Sequence, residues 1–297
     1  LAAELDRVPD DLPIVVRVDG PTGSRTVAAR VARLPGLTPA LVALTVQETV
    51  DALRDRIAGG SAEIAWEVEL ANEPPLRLLD QVVHAQDLSL AAARRTSVPL
   101  TILLENPFRA PELARVSVRV ELSETREHAE LVEIALEAPE ARPGDTAQTF
   151  VRVQPFRGEA RVLTLAVPIP DDVAPGELVL TVRGASVPDP RWEDQDPPAA
   201  DPYEQATSGL PPLLSWGELL GALEQRPQAR ELVIEIPGET RPRRLARRDV
   251  GVLVTGLERV TLRIVAPEED GSPGDVGAPG EGAAPAQDGP ADPEGAP

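Results

Sequence analysis

The sequence contains no cysteine, which excludes several kinds of chemistry at once. Without thiols the chain has no disulfide framework, no thiolate zinc site and no cysteine nucleophile. Methionine is also absent and the chain begins at Leu1, so we expect a fragment or a processed product of a longer protein. Lysine is missing as well, and all 29 basic residues are arginine.

Positive charge is scarce relative to negative charge. The 29 basic residues stand against 49 acidic ones, which gives a net charge of -20 and a pI near 4.5. Binding to a phosphate backbone depends on clustered cations, so we expect no nucleic-acid partner. Aromatic residues make up 2% of the chain, too few for a platform that stacks bases.

Long apolar runs are missing too. No run approaches the ~20 residues that a membrane-spanning helix needs, so we expect no membrane span in this chain. No charged segment precedes a short apolar stretch near Leu1, so any export signal is expected upstream.

Motifs that carry catalysis are absent. The sequence has no G-x-S-x-G nucleophile turn, no H-E-x-x-H zinc motif and no phosphate-binding glycine loop. The two histidines, His84 and His128, lack the spacing of a metal pair or a catalytic triad. Glu67 and Glu69 share one strand face and would serve a glycosidase, but nothing in the sequence marks a cleft around them. We therefore predict no catalytic residue, no cofactor and no metal site.

A stretch of regular alternation, residues 143–184, gives the clearest structural signal. Apolar and polar residues alternate in three segments separated by Pro-Gly and Arg-Gly turns, a pattern typical of antiparallel strands with one buried face. Two more alternating segments, 116–122 and 132–136, precede it. Five turn-linked strands predict an immunoglobulin-like antiparallel β-sandwich over residues 111–186. Because such sandwiches usually have about seven strands, we expect either a truncated sandwich or strands supplied by a neighbouring segment.

The first part of the chain, residues 1–110, mixes strand and helix patterns and predicts an α+β region. Residues 12–34 favour a β-hairpin around a Gly-Pro-Thr-Gly turn. Residues 61–70 alternate as a half-buried strand with glutamates on its outer face. Those glutamates offer oxygen ligands to a cation, but a solvated strand face is the simpler interpretation.

Two helices are expected in this region. Thr38 followed by proline, with apolar residues at helical spacing, predicts a long helix over residues 39–58. A second helix is expected after a cap at Asp87. Because Pro99 lacks an N–H, we expect this helix to break near Ser97.

The last third of the chain begins with an acidic, proline-rich segment, residues 187–212, which predicts a linker. Ser215 and Glu218 then form a capping-box pattern ahead of a short helix, and alternating strands follow. These residues predict a small α/β unit over 213–267. Residues 268–297 contain eight acidic and no basic residues, so we expect a disordered acidic tail.

The one basic cluster is the segment RRLARR, residues 243–248. Nucleic acid is one partner for such a cluster, but the acidity of the whole chain argues against it. A charged, exposed strand edge, or a contact with acidic segments of the same protein, is the preferred interpretation.

Several short motifs occur in a fixed order along the chain: NPF at 106–108, RPGDT at 142–146, QPFRGE at 154–159, IPDDVAPGELVLTV at 169–182 and SWGELLGALEQRPQARELVIEI from 215. This order, spanning about residues 10–266, resembles the region downstream of the peptidase domain in large bacterial proteins of the SpoIVB-type serine peptidase family. There the turn usually reads PYRGE, where this chain has Phe156. The catalytic His and Ser of that family belong to the preceding domain, so no catalytic residue is carried over. The resemblance implies an accessory region of an exported peptidase, located outside the cell or at the cell envelope.

Our leading hypothesis is a non-catalytic scaffolding or substrate-binding portion of such a peptidase. Its expected partners are the upstream peptidase domain and a protein or peptide bound by strand addition at an exposed sheet edge. The alternative is a stand-alone extracellular binding or adhesion module for a protein or a glycan. The candidate partner-binding residues are Phe156 and Arg157 in the PFRGE turn, together with Trp192 and Trp216.

Overall fold

The computed structural model describes residues 11–53, 58–187, 213–238 and 242–266. Within these ranges the chain is mostly β structure with three helices. The strands form three sheets, and the buried apolar residues form two separate cores.

The first sheet has five strands in the spatial order β2-β1-β5-β3-β4. Their bounds are β1 (Asp11–Gly20), β2 (Gly23–Ala32), β3 (Gly60–Leu70), β4 (Leu76–His84) and β5 (Leu113–Ser123). The central strand β5 runs parallel to β1 and antiparallel to β3. The buried residues of β5 lie beside buried residues of both neighbouring strands. Val118, for example, lies between Val16 of β1 and Trp66 of β3. The hairpin predicted over 12–34 and the strand predicted over 61–70 are confirmed.

Two helices, α1 (Thr38–Asp51) and α2 (Leu88–Leu104), share the first core with the inner face of this sheet. Helix α1 ends at Asp51, earlier than the predicted end at residue 58, and residues 54–57 lie outside the described ranges. The hydroxyl of Thr22 donates to the carbonyl of Leu53 at 3.0 Å. This contact satisfies a carbonyl just beyond the helix end and fixes it to the β1–β2 turn.

Helix α2 begins as predicted, with the Asp87 carboxylate accepting the N–H of Leu90 at 3.0 Å. The break expected near Ser97 does not occur, because α2 runs through Pro99 to Leu104. Pro99 is buried, and the burial of its ring offsets the hydrogen bond that it cannot donate. After the helix, the Asn106 side chain accepts the N–H groups of Phe108 and Arg109 and donates to the carbonyl of Leu103.

The second core lies between the two remaining sheets. The second sheet has the order β12-β11-β10-β14-β7 and the third β13-β6-β8-β9. The third sheet contains β6 (His128–Leu136), β8 (Thr146–Pro155), β9 (Arg161–Pro168) and β13 (Leu253–Thr255). The second contains β7 (Glu140–Ala141), β10 (Gly176–Gly184), β11 (Glu231–Ile236), β12 (Arg243–Asp249) and β14 (Leu257–Ile264). These two sheets are called the two-sheet unit below.

The strands are therefore divided differently from the predicted domains. The boundary at residue 111 assigned β5 to the sandwich, but β5 is the central strand of the first sheet. The predicted α/β unit over 213–267 is also divided. Its strands complete the two-sheet unit, whereas helix α3 (Trp216–Glu224) buries Leu219 and Leu223 in the first core. The expectation that a neighbouring segment supplies strands is thus met by residues 231–264.

The basic segment 243–248 forms most of β12, an edge strand with a largely exposed surface. Arg243 donates to the Asp172 carboxylate at 2.8 Å, and Arg247 lies 4.0 Å from Glu231. The interpretation as a charged strand edge in contact with acids of the same chain is confirmed.

Candidate partner-binding site

The predicted site residues Phe156 and Arg157 lie in the turn that joins β8 to β9. Arg157 adopts a left-handed backbone conformation with φ of 57°, uncommon for a residue other than glycine. The N–H of Phe156 donates to the carbonyl of His128 at 2.8 Å, and Gly158 donates to Pro155 at 3.0 Å. The Gln154 side chain donates to the carbonyls of Pro155 and Gly158. These hydrogen bonds hold the turn in one geometry.

The Phe156 ring is surrounded by cationic and aromatic side chains. It stacks on His128 with ring centroids 5.1 Å apart and planes inclined by 24°. The guanidinium carbon of Arg126 lies 4.1 Å from the ring centroid, and that of Arg157 lies 5.1 Å away. Both distances are within the range of cation–π attraction. The ring is half-buried and therefore offers a surface while its position is fixed.

A groove of about 460 Å³ opens beside this ring. Its walls are residues 124–127 between β5 and β6, the first residue of β6 (His128), the turn 155–157 and Val252. The Nδ1 atom of His128 is buried and has no hydrogen-bond partner within the described part of the chain. A buried polar atom without a partner is costly, so a ligand that supplies one would be favoured here.

The wall at 124–128 is tied to the first sheet. The Ser61 hydroxyl donates to the carbonyl of Thr125 at 2.7 Å. The hydroxyls of Ser123 and Thr125 both donate to the Glu127 carboxylate, at 2.8 and 3.0 Å. The groove therefore lies where the first sheet meets the two-sheet unit, and hydrogen bonds from both sides shape it.

Trp216, the third predicted residue, occupies a different place. Its indole N–H donates to both carboxylate oxygens of Glu73, at 3.0 and 2.9 Å. Arg109 pairs with the same carboxylate and lies 4.7 Å from the Trp216 ring centroid. These contacts attach the start of α3 to the loop that follows β3.

The structure brings Phe156 and Arg157 together but does not bring Trp216 to them. The Phe156 groove adjoins the end of β5, near Ser123, whereas Glu73 follows the opposite end of β3. Trp192, the fourth predicted residue, lies outside the described residues.

Sequence reasoning missed two partners of the site, Arg126 and His128. His128 lacks the spacing of a metal pair or a catalytic triad, and no other feature of the sequence assigns it a role. The available signal was the segment T-R-E-H, which places a cation and an imidazole two residues apart just before a strand. Without knowing that β6 pairs with β8, nothing connects that segment to Phe156.

No three His, Asp or Glu side chains in the described ranges are close enough to hold a metal ion. Among the described helices, none combines the length and apolar character needed to cross a bilayer. Comparisons of the chain with protein-family models, curated proteins and solved structures find no match.

Proposed function

We propose that this chain is a non-catalytic partner-binding region of an exported SpoIVB-like serine peptidase, acting outside the cell or at its envelope. In this proposal the two-sheet unit is an immunoglobulin-like sandwich that presents the Phe156 groove to a polypeptide. The observation that carries the proposal is a half-buried aromatic ring, fixed by two arginines and a histidine, beside a groove with an unpaired buried nitrogen.

A polypeptide suits this groove because of what its walls offer. Arginine and aromatic residues are the side chains most enriched at protein interfaces and at their energetic centres. Here a Phe ring and two guanidinium groups are already in contact, so binding would cost less side-chain entropy than if they were separate. Val252 adds an apolar surface, and the unpaired Nδ1 of His128 can exchange a hydrogen bond with a peptide group.

The neighbouring edge of β9 extends this surface. β9 begins at Arg161, shortly after the Phe156 turn, and only β8 pairs with it among the described strands. Arg161 is the only charged residue of β9, and Val162 is 64% exposed. An edge with so little charge is suited to strand addition, in which a peptide pairs with the free backbone groups.

Panning a phage-displayed random dodecapeptide library on the immobilised full chain tests the binding role. Selected peptides should lose at least about thirtyfold in affinity for Phe156→Ala, the effect of an anchor of about 2 kcal/mol. Phe150→Ala is the matched control, since Phe150 lies on β8 outside the groove. Equal losses in the two variants would contradict the assignment of the groove.

The peptidase connection needs separate measurements. The residues that precede Leu1 in the parent protein should contain a histidine and a Gly-x-Ser-Gly nucleophile turn. The purified chain should not hydrolyse fluorogenic peptides. Hydrolysis that a serine-directed inhibitor abolishes would overturn the non-catalytic role.

The alternative, a stand-alone module that binds a protein or a glycan, would use the same groove for a protein ligand. For a glycan it would need an open aromatic face, and Trp216 already has Arg109 against its ring. Stacking a sugar there would displace Arg109 from both Trp216 and Glu73. The contact with Arg109 therefore weighs against a glycan at Trp216.

A further inference from the structure

A second cleft, of about 480 Å³, lies along β4 and shares no residue with the Phe156 groove. Its walls come from residues 77–80 of β4, from the neighbouring strands of the first sheet and from α2. The end of α3 and the segment up to Gln228 close one side. We call this the β4 cleft.

More arginines than acids line the β4 cleft, although the chain as a whole is strongly acidic. Five arginines line it and only three acids do. Four of these arginines have carboxylate partners: Arg17 with Asp19, Arg77 with Glu67, Arg95 with Asp80, and Arg119 with Asp19 and Glu121. The fifth is Arg226.

The guanidinium of Arg226 has no hydrogen bond or ion pair with any residue of the described ranges. The residue is half-buried, and that burial lowers its pKa, helped by the nearby charge of Arg95 and opposed by Asp80. A partly desolvated cation that lacks a paired anion is unfavourable, and a bound anion would relieve that cost.

The backbone around Arg226 is fixed on both sides. Its N–H bonds to the carbonyl of Leu223 at the end of α3, and Pro227 follows. Two residues later the N–H of Ala229 donates to Asp80 at 3.3 Å, while Arg95 donates to the same carboxylate at 2.6 Å. The side chain is therefore carried into the cleft by a segment that is attached to β4.

The rest of the wall indicates what kind of anion fits. Trp66 also lines the cleft, and its buried indole N–H has no acceptor within the described residues. Aliphatic side chains such as Val15, Leu79 and Val98 supply apolar surface. A guanidinium fork matches a carboxylate or a phosphate, but an apolar wall favours a carboxylate next to an aliphatic group.

We infer that the β4 cleft is a binding site for an aliphatic organic carboxylate, of the kind found at the C-terminus of a polypeptide, with Arg226 as its anchor. This inference does not rest on the function proposed for the Phe156 groove. The C-terminal carboxylate would accept from Arg226, and the last side chain would pack on the aliphatic wall.

Isothermal titration calorimetry on the full chain tests this with acetyl-Ala-Leu carrying a free C-terminus, compared with its C-terminal amide. The acid should bind with a Kd of about 1 mM or tighter, and the amide at least about tenfold more weakly. Arg226→Gln should weaken binding of the acid by at least about tenfold, and Arg226→Lys, which keeps the charge but not the fork, by less. Arg244→Gln is the matched control, because burial also lowers the pKa of Arg244 but it lies outside the cleft.

Several other outcomes of this titration would overturn the inference. No binding of the acid, equal binding of acid and amide, or unchanged binding by Arg226→Gln would each do so. Inorganic phosphate that binds more tightly than the acid and depends on Arg226 would overturn the carboxylate assignment. Thermal unfolding of every variant shows whether a loss of binding reflects a loss of folded protein, and Arg226→Lys then provides the decisive comparison.

Discussion

Arg183 and Glu235 form a buried ion pair between β10 and β11. Two parallel hydrogen bonds, of 3.0 and 3.1 Å, join the guanidinium to the carboxylate, and the side chains are only 13% and 7% exposed. Arg183 also donates to the carbonyl of Val187 at 2.7 Å. Removing one partner would leave a buried charge without compensation. Glu235→Ala should therefore lower the free energy of unfolding by about 3–5 kcal/mol, measured by urea denaturation.

The control for this prediction is Glu133→Ala. Glu133 pairs with Arg152 at 3.1 Å, but these side chains are 62% and 51% exposed, so the loss should stay below about 1 kcal/mol. A double variant, Arg183→Met with Glu235→Leu, should recover much of the stability lost in Glu235→Ala, because neither charge remains. Similar losses in Glu235→Ala and Glu133→Ala would contradict the role given to burial.

Three aspartates at the surface, Asp11, Asp19 and Asp172, should make the stability of the protein depend on pH in acid. Hydrogen bonds from arginine hold the pKa of Asp11, Asp19 and Asp172 below the ordinary value of 3.8. A lowered folded-state pKa contributes stability above the unfolded value, and that stability is lost as pH falls through the folded value. Replacing all three by Asn should leave a protein that loses less stability than the native chain between about pH 4 and pH 2.5, measured by urea unfolding. Equal losses of stability in the native chain and the triple variant would contradict this prediction.

The sequence alone does not identify residues whose role depends on tertiary contacts. Phe156 and Arg157 were identified because a turn motif marks them. Arg226 follows a short helix and has no motif, and its burial arises only because α3 joins the first core. His128 reaches Phe156 only through the pairing of β6 with β8.

At the scale of the elements, the backbones of β10 and β13 lie close together at Gly184. A Cβ at this position would overlap the carbonyl oxygen of Val254, which is backbone and cannot move aside alone. Gly184→Ala should therefore lower the free energy of unfolding by about 3 kcal/mol, the upper end for overpacking, measured by thermal and urea unfolding.

The matched control is Gly217→Ala. Gly217 lies in α3, and a Cβ there would meet no atom within 4 Å. Alanine is the better helix former, so this variant should gain about 0.5–1 kcal/mol. The two substitutions are chemically identical, and equal signs in the two variants would disprove the steric explanation.

Elements with clean periodicity were predictable, and those shaped by distant neighbours were not. β3 alternates strictly and was identified, whereas β4 was missed because adjacent apolar residues, such as Leu78 with Leu79, interrupt its alternation. Pro99 predicted a break in α2 because propensities read from the local sequence do not account for the burial of its ring in the folded protein. β5 was identified as a strand, but the alternation could not show that it pairs with β1 and β3.

At the scale of the whole molecule, the C-terminal part of the chain connects the two cores. Helix α3 adds Leu219 and Leu223 to the first core. The strands after it supply six buried residues of the second: Leu232, Ile234, Ile236, Val254, Leu262 and Ile264. In chain order, the first segments contribute to the first core, the next to the second, α3 to the first again, and the last strands to the second. Such a path makes each core depend on residues after position 213.

This dependence predicts the behaviour of a chain divided after Val187. Residues 1–187 alone would leave the apolar faces of β6, β8 and β10 uncovered, so they should bind a hydrophobic dye and give poorly dispersed amide signals. Adding residues 188–297 as a separate polypeptide should restore dispersed NMR spectra and cooperative unfolding. The control is a chain of residues 1–266, which keeps every described element and should unfold like the full chain. Cooperative unfolding of residues 1–187 alone would show instead that neither core requires the C-terminal segment.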